Sequence, residues 1–66
     1  MTAYHTLCNL LHDGKIYAIE TWTPITEDGF IVSLSFPLNR KVRGSGPSID
    51  AAQCAALEAY RKECQQ

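Results

Sequence analysis

No stretch of this chain is apolar over the roughly eighteen residues that a membrane-spanning helix requires. Residues 1–20 also lack the basic segment and following apolar run of a secretory signal. Both absences predict a cytoplasmic protein with no membrane partner. A one-sided charge is missing too. Six Lys and Arg stand against seven Asp and Glu, for a formal net charge of −1. Domains that hold nucleic acid by bulk electrostatics are strongly basic, and this one is not; seven acids against six bases do not make an acidic nucleic-acid mimic either. The three cysteines, Cys8, Cys54 and Cys64, are odd in number and contain no Cys-x-x-Cys pair. That is neither a disulfide framework nor a zinc site, and it predicts reduced cysteines packed as small apolar residues. No internal repeat, low-complexity tract, GxGxxG or phosphate-loop motif occurs.

What is present reads as one small folded domain, residues 1–66. Its 45% hydrophobic and 20% charged composition is that of a globular chain. A domain of this size buries only about 60% of the surface exposed by its unfolded chain. Uncovered strand edges and apolar surface therefore invite a partner or a second copy, and a homodimer through an exposed edge is one expected arrangement.

The clearest local signal is Phe30–Phe36, where Phe30, Val32, Leu34 and Phe36 alternate with Ile31, Ser33 and Ser35. Period two means a strand with one buried face and one at least half solvated. Ile16–Thr23, rich in β-branched and aromatic residues, reads as a second strand stopped by Pro24. Residues 3–11 read as a strand, with a short helix as the alternative, because neither face is cleanly polar. Asp13-Gly14 then becomes a hairpin turn, and Glu27-Asp28-Gly29 a second turn. Residues 37–47 read as a basic, glycine-containing loop, with a short strand near Lys41–Arg43 as the alternative. Ser48 is an N-cap and Asp50 suits the first turn of a helix running from Ile49 to about Glu63. Its apolar stripe is Ile49, Ala52, Ala56, Leu57, Ala59, Tyr60 and Cys64, and Cys54 points away from it. The expected fold is α+β: a three-stranded antiparallel sheet with one C-terminal helix packed on one face, in the order β-β-β-α.

Catalytic chemistry finds no support in the residues. On a strand, His5 and Cys8 would lie on opposite faces, and His12 beside a turn is most simply solvated. Glu27 and Asp28 belong to turn chemistry and have no second acid at a defined spacing. The expectation is a non-enzymatic protein without cofactor or metal. For polar recognition the candidates are Arg40, Lys41, Arg43 and Ser45, which lead into a helix N-terminus whose free amides favour anions. The competing reading is a flexible connection with solvated charges. Glu20 and Trp22 share a strand face and form a recognition patch if that face is open; if it is covered, Trp22 is core.

The stretch from Asp28 to Tyr60 resembles the partial-barrel domain of HicB-type antitoxins. The matching residues are Glu27-Asp28-Gly29-Phe30-Ile31-Val32-Ser33, Phe36-Pro37, Gly46, Ser48, Ala51-Ala52, Ala55 and Leu57. Leu38 replaces an expected acid after the proline, and Asp50 or Ala51 an expected glutamate. The resemblance implies a protein that neutralises or regulates another protein, such as a toxin or a host effector, by steric occlusion. An inhibitor encoded by a phage or mobile element, such as an anti-CRISPR protein, is a second form of the same expectation. Gly44-x-Gly46-x-Ser48 before an alanine-rich helix is also similar to a double-stranded-RNA-binding domain lacking its first helix. There Ile49, Asp50 and Ala51 occupy positions where that family carries phosphate-binding lysines. The alternative function is accordingly a nucleic-acid-binding module using the Arg40–Arg43 segment.

Overall fold

The computed structural model describes residues 2–23 and 29–64. Its elements are helix α1 (Ala3–His12), strands β1 (Ala18–Trp22), β2 (Phe30–Phe36) and β3 (Arg40–Gly46), and helix α2 (Ile49–Cys64). The three strands form one antiparallel sheet in the order β1-β2-β3. The fold class is therefore α+β with a C-terminal helix on the sheet. The order, however, is α-β-β-β-α rather than β-β-β-α, and two of the three strands differ from the sequence expectation.

Residues 3–11 are helical, not extended. Thr2 caps the helix, its side chain accepting from the His5 amide at 3.2 Å. Ala3, Leu7 and Leu10 recur at helical spacing; Leu7 is buried, and Ala3 and Leu10 are partly so. Asp13-Gly14 ends this helix and does not turn a hairpin. Gly14 takes φ +76°, its amide donates to the Leu11 carbonyl, and the Lys15 amide donates to that of Leu10. Those two bonds make a Schellman cap. Both a hairpin turn and a helix cap want a glycine at positive φ, so the dipeptide alone does not separate them.

The second strand is shorter than Ile16–Thr23, because Ile16 leaves the ladder to enter the core. Strand β2 matches its expected bounds, and Val32, Leu34 and Phe36 are buried. The expected turn residues Glu27 and Asp28, and Pro24, lie outside the described residues.

Residues 40–46 are a full strand, not part of a loop. β3 pairs along the whole of β2, from Phe36 opposite Arg40 to Phe30 opposite Gly46. The connection is Pro37-Leu38-Asn39, with Leu38 at φ +70° and Asn39 at φ +57°. Asparagine tolerates this left-handed region, whereas leucine is strained there by roughly 1–2 kcal/mol. Leu38 is 84% exposed, so it gains little packing in return. Leu38→Gly is expected to raise stability by about 1 kcal/mol, read as an upward shift in the denaturation midpoint.

Helix α2 begins as expected: Ser48 Oγ accepts from the Ala51 amide at 3.1 Å. Ala52, Gln53, Ala56, Leu57 and Tyr60 are its buried residues. Ile49, at 46% exposed, Ala59 and Cys64 fall outside that set and Gln53 joins it, so the buried stripe is shorter than the periodicity implies and shifted toward Gln53. Cys54 is exposed, in keeping with its pointing away from the stripe, but the exposure of both Cys54 and Cys64 corrects the expectation that the cysteines pack as small apolar residues. The core joins Leu7 of α1, Ile16, the inner face of β2 and the buried face of α2. Phe36 meets Tyr60 edge-to-face at 5.1 Å, and the Arg40 guanidinium lies 4.7 Å over the Phe36 ring. Burial, and then a hydrogen bond with Cys64, push the Tyr60 phenol above its ordinary value, while Arg40 opposes the shift.

The glycines of β3 explain how helix and sheet meet. A Cβ on Gly44 would lie 2.0 Å from the Ala56 nitrogen, and one on Gly46 would lie 2.7 Å from the Ala51 Cβ. The backbone of α2 therefore rests directly on β3. These glycines admit a helix, and the approach of a ligand is not what they serve.

Candidate functional site on the outer sheet face

Alternation along the strands sorts every candidate residue to a face. Gly44, Gly46, Val42 and Arg40 share the inner side with Phe30, Val32, Leu34 and Phe36, as the pairing register requires. The outer face then carries Ala18, Glu20 and Trp22 from β1; Ile31, Ser33 and Ser35 from β2; and Lys41, Arg43 and Ser45 from β3. Five of the six sequence candidates, Glu20, Trp22, Lys41, Arg43 and Ser45, thus converge on one surface. Arg40 does not join them. It turns to the inner side, stacks on Phe36 and donates through Nε to the Pro37 carbonyl at 3.1 Å. The basic run is therefore divided between two faces and forms no single cationic patch.

Two contacts cross the outer face from β1 to β3. The Arg43 guanidinium lies 5.4 Å over the Trp22 ring, and Lys41 Nζ is 3.8 Å from Glu20 Oε1. β1 and β3 are two strand spacings apart, roughly 10 Å. Only long side chains reach across that gap, and only a small residue between them leaves room. Ser33 is that residue, flanked in register by Glu20 and Arg43. Its burial to 2% exposure corrects the expectation that this whole face is at least half solvated. Trp22 is half-buried, so it is neither full core nor a free indole. The Glu20–Lys41 pair is more than half exposed on both sides, and solvent screening leaves it worth at most about 1 kcal/mol.

The remaining chemistry is sparse. Helix α1 puts His5 and Cys8 three residues apart, so the strand-parity argument that separated them does not hold. Cys8 instead engages Tyr4: their hydrogen bond, then the charge of a Cys8 thiolate, raise the Tyr4 phenol above its usual value. Among the described residues, no group of three His, Cys, Asp or Glu could hold a metal ion. No described helix is long and apolar enough to cross a membrane. A shallow groove of about 270 Å³ lies between α1 and α2, lined by Thr6, Cys54, Leu57, Glu58 and Arg61 among others. Among the described residues it contains no buried, unpartnered polar atom, whereas the outer face has one, Ser33 Oγ. The anion site expected at the start of α2 is partly occupied from within, because Ser48 already accepts from the first turn.

The convergence on the outer face was not legible in the sequence, since it needs the register of β3 on β2. The signal that could have found β3 is the Leu38-Asn39 turn between Phe36 and the Arg40–Val42 segment. The chain matches no protein-family model, no curated protein and no solved structure.

Proposed function

We propose that this chain is a small non-enzymatic binding protein that docks a partner protein on its outer sheet face and acts by occluding that partner. The observation that carries this reading is the gathering of Glu20, Trp22, Lys41, Arg43 and Ser45 on the face opposite α2. Tryptophan and arginine are the residue types that most often dominate protein interfaces, and here one lies over the other. A toxin or a host effector is the class of partner that the HicB-like resemblance suggests. The near-neutral charge suits a protein surface better than a polyanion.

Affinity capture with immobilised wild type, Trp22→Ala and Arg43→Ala tests it. The expected result is a specific protein whose retention falls at least tenfold in each outer-face variant, about 1.4 kcal/mol or more. Glu58→Ala, on the exposed side of α2, should retain it. Retention indifferent to Trp22 and Arg43 would sink the proposal.

One observation favours a second reading, a nucleic-acid module. α1 supplies the first helix that the double-stranded-RNA-binding resemblance lacked. Against it stand Ile49, Asp50 and Ala51 in the first turn of α2 and the divergence of Arg40 from Lys41 and Arg43. Binding to duplex RNA at low salt that collapses as salt is added would support it; no binding at low salt would end it.

A further inference from the structure

Ser33 is the centre of the outer face, and its burial there is not explained by packing alone. Its Oγ has no hydrogen-bond partner. A buried hydroxyl left unsatisfied costs about 1–3 kcal/mol, a penalty that alanine would avoid at nearly the same volume. The groups around it are weakly committed. Among the described residues Arg43 makes no ion pair; its guanidinium rests on Trp22. Lys41 reaches Glu20 only at 3.8 Å, in solvent. Among the described residues, the face thus holds a hydroxyl with nothing to donate to, two loosely held cations, and one carboxylate beside them. A carboxylate is an acceptor-only group with about four lone-pair sites, which complements that set of donors.

We propose that the outer sheet face is a receptor for an aspartate or glutamate side chain of the partner protein. The incoming carboxylate displaces Glu20 from Lys41, accepts the Ser33 Oγ hydrogen and lies between Lys41 and Arg43. Glu20 acts as an internal stand-in, a tethered carboxylate that holds the site shut until a better-placed one arrives. This inference rests on the protein-binding reading above and specifies its chemistry. A nucleic-acid phosphate offers similar acceptors, but two cations on this face, beside Glu20, supply too few phosphate contacts for such binding.

The test is an NMR titration of the ¹⁵N-labelled chain with a hexaglutamate peptide, run beside an oligothymidylate at the same ionic strength. The expected result is saturable shifts at Ser33, Lys41 and Arg43 with the peptide. Ser33→Ala should weaken the peptide about tenfold while raising the thermal midpoint, because it removes both the bound-state donor and the free-state penalty. Glu20→Gln should tighten it about threefold by releasing Lys41. Opposite signs on stability and binding are what a merely structural serine would not produce. No saturable shift, or affinity unchanged in both variants, would overturn the inference. Tighter binding of the oligothymidylate would overturn the carboxylate assignment. A captured protein that needs Trp22 and Arg43 but not Ser33 would leave the docking face standing and remove this inference. Peptide binding without any partner dependent on the outer face would do the reverse.

Discussion

Gly44→Ala is expected to remove most of the stability of this domain. The added Cβ would lie 2.0 Å from the Ala56 nitrogen, 2.5 Å from the Ala55 carbonyl carbon and 2.6 Å from the Ala56 Cα. All three are backbone atoms of α2, so no side-chain rotation relieves the overlap. The helix must lift off β3, which also parts Ala52, Ala56 and Leu57 from the sheet core. Overpacking ordinarily costs about 1–3 kcal/mol and more where the backbone must move; about 3 kcal/mol or more is expected here. A domain of 66 residues has roughly 3–10 kcal/mol in total. Chemical denaturation should therefore find Gly44→Ala marginal or unfolded. The neighbouring Ser45→Ala, on the outer face, should stay within about 0.5 kcal/mol of wild type. Equal effects at the two positions would contradict the packing of α2 on β3.

Phe36→Ala is the second large effect, expected at about 3–5 kcal/mol. Phe36 is 2% exposed and joins three elements: its own strand, Tyr60 of α2 edge-to-face, and Arg40 of β3 over its ring. Phe36→Leu separates bulk from aromatic geometry. It keeps most of the buried volume and loses the edge-to-face pair, worth about 0.5–1.5 kcal/mol, together with the cation–π contact, worth about 0.5–1 kcal/mol where exposed. An intermediate loss of about 1–2 kcal/mol is expected for leucine by those same contacts. A leucine variant as unstable as the alanine one would mean that ring contacts, and not volume, hold this end of the core together.

These two positions also mark how far local sequence carries. Phe36 closes the strand whose period-two pattern is the cleanest in the chain, and its burial follows from that pattern. Gly44 sits in a segment whose inner face is Arg40, Val42, Gly44 and Gly46, and a strand with a single apolar side chain has no hydrophobic periodicity to read. Its role is the absence of a Cβ under a helix that arrives later in the chain. The same limit applies at Asp13-Gly14, where a hairpin and a helix cap use the same residue types. Only the bonds from Gly14 and Lys15 back to Leu11 and Leu10 distinguish them.

The local chemistry of the chain determined strand β2, the Ser48 cap, the body of α2 and the absence of a charge excess or metal motif. Each depends on residues within a turn or two of one another. The tertiary structure decided that residues 3–12 are a helix, since Leu7 is buried by the core it meets. It decided that residues 40–46 are a strand, since β2 offers the ladder. It also decided that Glu20, Trp22, Lys41, Arg43 and Ser45 share one face around Ser33 while Arg40 does not. That grouping depends on cross-strand register, a property of paired segments, and no single segment contains it.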